Sequence, residues 1–375
     1  MKILHLVLSF VFLSNYCVAQ TAEELCAEGK QLKTDKKSAE AIKKFEQAVR
    51  LKPDYYEASY EMGWCMNDTK DYTGALSTLR KARVGWSSIP KVWFELGYAF
   101  DKLNMIDSAA TCYNKCLSLK DDYSLAYKML GYIEYSKDNY VTALGHLKKF
   151  SDLKSGDIDD YLFWYRFGFM YNAQKEYEKA IEMLKKSENN KQDYLNTYLE
   201  LGFACKNLKR TENAITYYNK AMLIDPKSYI PYNGIGEVYR DVVKDMDKAM
   251  EWYLKSLSIK AKERKACFGM GYCLNSKGRY AEAIPYLKTA IEQEDTYIAA
   301  YTEIGYSYYM TSNNTDALFY LNKSISLSPS TANAYYYAAL VYINQKNKTK
   351  AQEMADGYKR AGKDATSLQQ KVDAL

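Results

Sequence analysis

Residues 93–100 read Trp-Phe-Glu-Leu-Gly-Tyr-Ala-Phe, and this stretch decides the fold of the chain. Trp93, Leu96, Gly97 and Phe100 fall at i, i+3, i+4 and i+7, one face of an α-helix. Twelve residues past the glycine comes Ala109, followed by Tyr113 and Cys116 at the same helical spacing, so a second amphipathic helix is expected. Asn104–Asp107 between them is polar and turn-like. A glycine inside a helix costs about 1 kcal/mol relative to alanine. Close approach of the second helix, with no Cβ in the way, offsets that cost.

The same glycine returns along the whole chain: Gly29, Gly63, Gly97, Gly131, Gly168, Gly202, Gly236, Gly271 and Gly305. The steps are 34, 34, 34, 37, 34, 34, 35 and 34 residues, and Ala339 stands 34 further on. The second helix has its own small residue in register: Ala41, Ala75, Ala109, Ala143, Ala180, Ala214, Ala249, Ala283, Ala317 and Ala351. Each unit is therefore expected to be a helix pair, small residue against small residue. A period in this range marks a helical repeat array, in which each unit contacts only its neighbours.

With the glycine numbered as the eighth residue of each unit, the pattern resembles the tetratricopeptide repeat, W-x2-L-G-x2-Y, then A-x3-F, then A, then P. The first repeat supplies Gly29, Ala41, Phe45, Ala48 and Pro53, and the sixth Tyr198, Leu201, Gly202, Ala214, Tyr218, Ala221 and Pro226. Tyr72, Tyr140, Tyr177 and Tyr280 fill the aromatic place before the second helix. Pro53, Pro226 and Pro329 stand where the second helix should stop, since proline lacks the N–H a helix needs. The resemblance runs from Ala22 to about Gly362 and implies an all-α, right-handed solenoid (superhelix) of about ten helix-turn-helix repeats.

Residues 1–19 read as a secretory signal peptide: Lys2, then an apolar core Ile3–Leu13, then Cys17-Val18-Ala19 with small residues before a cut at Gln20. Tyr16 before Cys17 argues against a lipoprotein cleavage site. Repeats one to four are expected over 20–154 and a longer loop over 155–160. In that loop Asp157, Asp159 and Asp160 lack the spacing of a calcium site, and Asp160 is placed to cap the next helix. Repeats five to nine are expected over 161–331, with one extra residue in repeat seven between its helices, within Asp241–Asp247. Repeat ten and a capping helix are expected over 332–375, the cap presenting Leu368, Val372 and Leu375 at i, i+4 and i+7.

Composition excludes several classes. The 375 residues carry 52 basic and 46 acidic side chains, short of the basic footprint of a nucleic-acid binder. No stretch beyond the leader is long and apolar enough to cross a bilayer. Past the leader one histidine remains, His146, and no GxSxG, phosphate-cradling loop or dinucleotide fingerprint occurs. Neither an enzyme nor a metal or other cofactor is expected. Cys26, Cys65, Cys112, Cys116, Cys205, Cys267 and Cys273 occupy places the repeat gives to small apolar residues, so they read as core. Their odd number leaves at least one outside any internal disulfide. The family's two-carboxylate clamp is absent, because Lys128 is followed at position nine by Tyr132.

What remains is a surface. The resemblance implies that positions two, five, nine and twelve of the first helices line the concave groove. At position nine stand Trp64, Tyr98, Tyr132, Phe169, Phe203, Glu237, Tyr272 and Tyr306, and position five adds Tyr60, Phe94, Tyr165, Phe268 and Tyr336. In repeat seven Asn233, Glu237 and Arg240 are expected to share one helix face, either gripping a partner or pairing Glu237 with Arg240. The expectation is a non-enzymatic scaffold holding partner proteins. Its leader resembles those of Gram-negative envelope proteins, which places it as exported, periplasmic or secreted, and as a member of an envelope complex. The alternative is a glycan- or peptidoglycan-binding protein using the aromatic stripe.

Overall fold

The computed structural model describes residues 20–154 and 157–375, which are helical with no strand among them. The expected leader, 1–19, lies outside the described residues, as do Ser155 and Gly156 of the expected loop. The chain divides into two units, Met1–Ile158 and Asp159–Leu375.

In the first unit the helices are α1 (Ala22–Thr34), α2 (Ser38–Leu51), α3 (Tyr56–Asp68), α4 (Tyr72–Gly85), α5 (Pro90–Lys102), α6 (Ile106–Leu119), α7 (Ser124–Ser136) and α8 (Tyr140–Leu153). The second unit opens with α9 (Tyr161–Ala173), α10 (Tyr177–Asn190), α11 (Leu195–Asn207), α12 (Thr211–Ile224) and α13 (Ile230–Glu237). It continues with α14 (Met246–Ile259), α15 (Arg264–Ser276), α16 (Tyr280–Gln293), α17 (Ile298–Met310) and α18 (Asn314–Leu327). It closes with α19 (Ala332–Asn344), α20 (Lys348–Arg360) and α21 (Thr366–Asp373). From α1 to α20 each odd-numbered helix packs on the even-numbered one that follows, the tandem pairing the period requires.

Local chemistry explains the boundaries. Thr21 and Glu24 form a reciprocal capping box at the start of α1. Asp160 accepts from the Phe163 amide at 3.0 Å, capping α9 as its position suggests. Before Pro53, Pro226 and Pro329, the residues Lys52, Asp225 and Ser328 are extended, and α2, α12 and α18 end just ahead of them. The turn inside each pair carries a left-handed residue, such as Lys36, Lys70, Lys175 or Ser312, and only at Gly278 is that residue a glycine.

The repeat glycines make room for something larger than expected. A Cβ on Gly29 would lie 2.6 Å from the Phe45 ring, on Gly97 2.7 Å from Tyr113, on Gly202 2.7 Å from Tyr218, and on Gly236 2.6 Å from Tyr253. On Gly63, Gly131, Gly168, Gly271 and Gly305 the obstacle is Leu79, Leu147, Leu184, Leu287 and Leu321. The expected small-against-small approach is seen where the paired alanine carbonyl lies 3.2–3.3 Å from the Cβ position on Gly131, Gly168 and Gly305, but a large side chain comes closer still. Each glycine is a socket for the large side chain one turn past the alanine, and the alanine itself is fully buried beside it.

Two such rings are held on both faces. Tyr218 lies between Gly202 of its own repeat and Gly234 of the next, and Tyr253 between Gly236 and Gly269. Phe45 and Tyr113 lack such a second glycine, since position six of the following repeat is Glu61 and Met129.

The extra residue of repeat seven is not in the inter-helix turn. It is absorbed as a π-helical turn, Val238–Val243, which continues α13. Its end is marked by left-handed Lys244. The spacing from repeat glycine to large side chain is accordingly 17 residues here, Gly236 to Tyr253, against 16 in the other repeats. Helix α21 buries Leu368 and Val372 against Ala339, Tyr342, Ala351 and Ala355, whereas Leu375, expected on the same stripe, lies exposed past the helix end.

Candidate functional site

An open cavity of about 770 Å³ lies on the first-helix face of the second unit. Helices α9, α11 and α13 and the start of α15 build it, one first helix from each of repeats five to eight. Its walls are aromatic: Tyr165 and Phe169 from α9, Phe203 from α11, Tyr177 from the start of α10, and Tyr229 ahead of α13. Phe203, 38% exposed, is the open ring. It meets Tyr177 edge-on at 6.1 Å between centroids, and Lys206 sits over it at 5.2 Å.

The polar lining combines the carboxylates Glu200, Glu237 and Glu263 with asparagines and with the cations Lys175, Arg264 and Lys265. Asn172 donates to the Glu200 carbonyl at 3.1 Å and to the Glu200 carboxylate at 2.7 Å. Asn233 donates to the Glu263 carboxylate at 2.7 Å, and the same Glu263 oxygen accepts from the Ala266 amide at 2.7 Å, capping α15. Glu237 is paired with Lys206. Burial raises the Glu200 carboxyl above the usual range, against the lowering effect of the Asn172 hydrogen bond and of the Lys265 charge. The amide oxygens Asn172 Oδ1 and Asn233 Oδ1 are buried without a hydrogen-bond partner. The cations of the lining stand differently: Lys175 and Lys265 are exposed, and Arg264 pairs with Glu294.

The asparagine clasp is a recurring device. Asn67 holds Glu95 and Asn275 holds Glu303 through the same carbonyl and carboxylate bonds, each across 28 residues. An asparagine at position twelve thus ties down a glutamate at position six of the next repeat. Sequence reasoning passed over these pairs, although the common 28-residue separation was there to find.

Of the residues expected to form a binding surface, Tyr165, Phe169, Phe203, Asn233 and Glu237 line this cavity. Asn233 is only 4% exposed and its amino group is spent on Glu263, so it is not an open peptide-gripping amide. The expected Glu237–Arg240 pair is corrected as well. Glu237 takes Lys206, and the π-helical turn carries Arg240 elsewhere, bonded to Asp241 at 2.6 and 2.8 Å. There its guanidinium lies over the rings of Tyr253, Phe268 and Tyr272 at 5.6–6.0 Å, with 14% of the side chain exposed. Tyr306 stacks on Tyr337 at 4.6 Å and meets Tyr280 at 5.5 Å. In the first unit Trp64 lies under Lys33, Tyr98 meets Tyr72 edge-on at 6.3 Å, and Tyr132 lies under Lys128. Tyr60 and Phe94 are buried in that unit's core. Most rings of the row already pack on another ring or lie under a lysine, so the row does not favour glycan stacking.

The remaining candidates are packing groups. All seven cysteines of residues 20–375 are buried and unbonded, and burial pushes the Cys116 thiol up to about 12. His146 lies half-buried beside Tyr127, its imidazole lowered by burial against the opposing effect of Glu134. No helix among the described residues is long and apolar enough to cross a membrane.

The sequence profiles of the tetratricopeptide repeat match residues 27–88, 90–123, 195–228 and 265–297, in register with the helix pairs. Over those residues the chain carries tetratricopeptide repeats. This tetratricopeptide repeat chain is 27% identical over 237 residues to a TPR repeat-containing protein of Methanocaldococcus jannaschii, covering 60% of itself and 41% of that protein. It is 31% identical over 81 residues to the human tetratricopeptide repeat protein 28, covering 22% of itself and 3% of that protein. It therefore spans less than half the length of either relative. Among solved structures, the Cut9–Hcn1 complex of the APC/C aligns with a TM-score of 0.52 at 13% identity, over 94% of this chain and 90% of the other. A tetratricopeptide repeat protein from Parabacteroides merdae aligns with a TM-score of 0.51 at 18% identity, over 67% and 97%. At these identities the likeness is one of fold.

Proposed function

We propose that this tetratricopeptide repeat protein is a non-enzymatic scaffold that seats a segment of a partner protein in the cavity of α9, α11, α13 and α15. The observation that carries the reading is the cavity itself. It is large enough for several side chains, walled by aromatic rings and furnished with a few buried polar groups, which is the make-up of a recognition site. The exported, envelope setting belongs to the same proposal and is supported by the composition of residues 1–19.

Photo-cross-linking tests it. Phe203→p-benzoylphenylalanine places a reactive ring at the open wall, and Leu223→p-benzoylphenylalanine places one at an exposed site on α12 outside the lining. Discrete protein adducts from position 203, absent from position 223 and unaffected by soluble polysaccharide, are the expected result. Identical adducts at both positions, or none at 203, would sink the proposal.

A further inference from the structure

We infer that the cavity on α9, α11, α13 and α15 selects a cationic side chain, an arginine or lysine of the partner segment flanked by apolar residues. This rests on the reading of the cavity as the partner site and names the chemistry it accepts.

The lining sets three carboxylates, Glu200, Glu237 and Glu263, against three cations, Lys175, Arg264 and Lys265. Glu200 and Glu263 both line it, Glu263 at 7% exposure, and neither makes an ion pair among the described residues. Each is steadied by neutral donors, Asn172 for Glu200, and Asn233 with the Ala266 amide for Glu263. Neutral donors hold a carboxylate in place without cancelling its charge. Glu237, the third acid of the wall, already has Lys206.

Asn233 Oδ1 adds an acceptor on the same wall that is buried and unpartnered. A buried polar atom left without a partner is costly, and a donor from outside gains by reaching it once the Asn233 side chain turns toward the cavity. The lining cations do not compete in kind. Lys175 and Lys265 are exposed, Lys265 acting on Glu200 through its charge without forming an ion pair, and Arg264 is engaged with Glu294 and stacked over Tyr297 at 4.9 Å. A guanidinium or ammonium carries donors only, and it also favours the faces of aromatic rings. Phe169, Phe203, Tyr165 and Tyr229 supply such rings around the acids. The cavity volume of about 770 Å³ leaves room for the flanking apolar side chains as well.

The test is a random dodecapeptide display library panned against the full chain, followed by affinities of the enriched peptides by fluorescence anisotropy. Enriched peptides should carry an arginine or lysine next to leucine or an aromatic residue. Replacing that residue by citrulline or norleucine should weaken binding at least tenfold, and replacing it by glutamate should abolish it. Glu200→Gln keeps the size and the Asn172 bond, and should lower the affinity of the basic peptide at least tenfold while leaving the citrulline peptide unchanged. Because Glu263 caps α15, Glu263→Gln is paired with a melting curve, and Glu200→Gln alone remains decisive if that variant unfolds. Enriched peptides without a basic residue, or equal binding by wild type and Glu200→Gln, overturn the cationic selectivity while cross-links at position 203 keep the partner site. No enrichment together with no cross-links overturns both.

Discussion

The ring of Tyr218 offers a sharp test of how neighbouring repeats are coupled. Tyr218 is clamped between Gly202 and Gly234, and a Cβ on Gly234 would overlap the ring outright. Gly234→Ala by itself raises helix propensity, a gain of about 1 kcal/mol. Against that stands overpacking, roughly 1–3 kcal/mol, taken at its upper end because Gly202, with a Cβ position 2.7 Å from the ring, blocks retreat. The net expectation is a loss of about 2 kcal/mol. In a Tyr218→Leu background the obstacle is gone. Leucine is what repeats two, four, five, eight and nine place there as Leu79, Leu147, Leu184, Leu287 and Leu321, and none of them is followed by glycine at position six. Gly234→Ala should then be neutral or stabilising by up to about 1 kcal/mol, a coupling of roughly 2–3 kcal/mol across the two repeats. Urea denaturation of the four proteins, followed by circular dichroism, measures it. Hydrogen exchange of the α11–α14 amides should show the loss confined to repeats six and seven. Coupling below about 0.5 kcal/mol would mean that the ring and the new methyl do not compete, and the socket account would fail.

Other expectations follow from single contacts. Ser307 donates to Asn275 Oδ1 at 2.7 Å, whereas the equivalent residue beside Asn172 is Ala204 and Asn172 Oδ1 is unpartnered. Ser307→Ala should therefore cost about 1–3 kcal/mol and Ala204→Ser should gain about 1 kcal/mol, read as opposite shifts in the urea midpoint. Gly145, exposed in α8 with nothing near a new Cβ, should give about 1 kcal/mol of stabilisation as Gly145→Ala. Gly278→Ala, equally unobstructed but at φ +76°, should lose about 1 kcal/mol, and thermal melts showing the same sign for both would refute the backbone argument. Burial pushes Glu95 from 4.5 up to about 7, despite the Asn67 bond. A carboxyl raised in this way favours the folded state fully below about pH 4.5, and that contribution is lost as the pH climbs to 7. Stability should fall by roughly 2–3 kcal/mol over that range, and Glu95→Gln should flatten the step in urea titrations at pH 5 and 8. Residues 1–25 fused to a reporter should carry it out of the cytoplasm, with Gln20 as the new N-terminus. An intact Met1 in the native host, or a lipid on Cys17, would refute export.

Most of the architecture was legible in the sequence because it is local and repeated. Helix periodicity, the glycine spacing and the prolines at Pro53, Pro226 and Pro329 are short-range features, and a 34-residue period multiplies each of them down the chain. The cap at Asp160 and the core role of Cys112 and Cys116 follow in the same way, since each repeat position has one environment. The aromatic wall was half legible: Phe169 and Phe203 line the cavity, but the row they belong to also runs through rings such as Tyr306 that pack on other rings.

What sequence position could not decide was which neighbour each side chain meets. The spacing of the repeat glycines points to close approach, yet only the packed structure shows that the nearest group is a large side chain such as Phe45, Tyr113 or Tyr218. Repeat seven is the clearest case. One extra residue taken up as a π-helical turn rotates everything after it, so Arg240 parts from Glu237 and joins Asp241 under Tyr272. Asn233 and Glu263 lie 30 residues apart, and the charge balance of the cavity depends on their meeting. A helix face can be read from spacing within one element. The contents of a cavity between four helices are set by how those elements turn against one another, and that was decided by the tertiary structure.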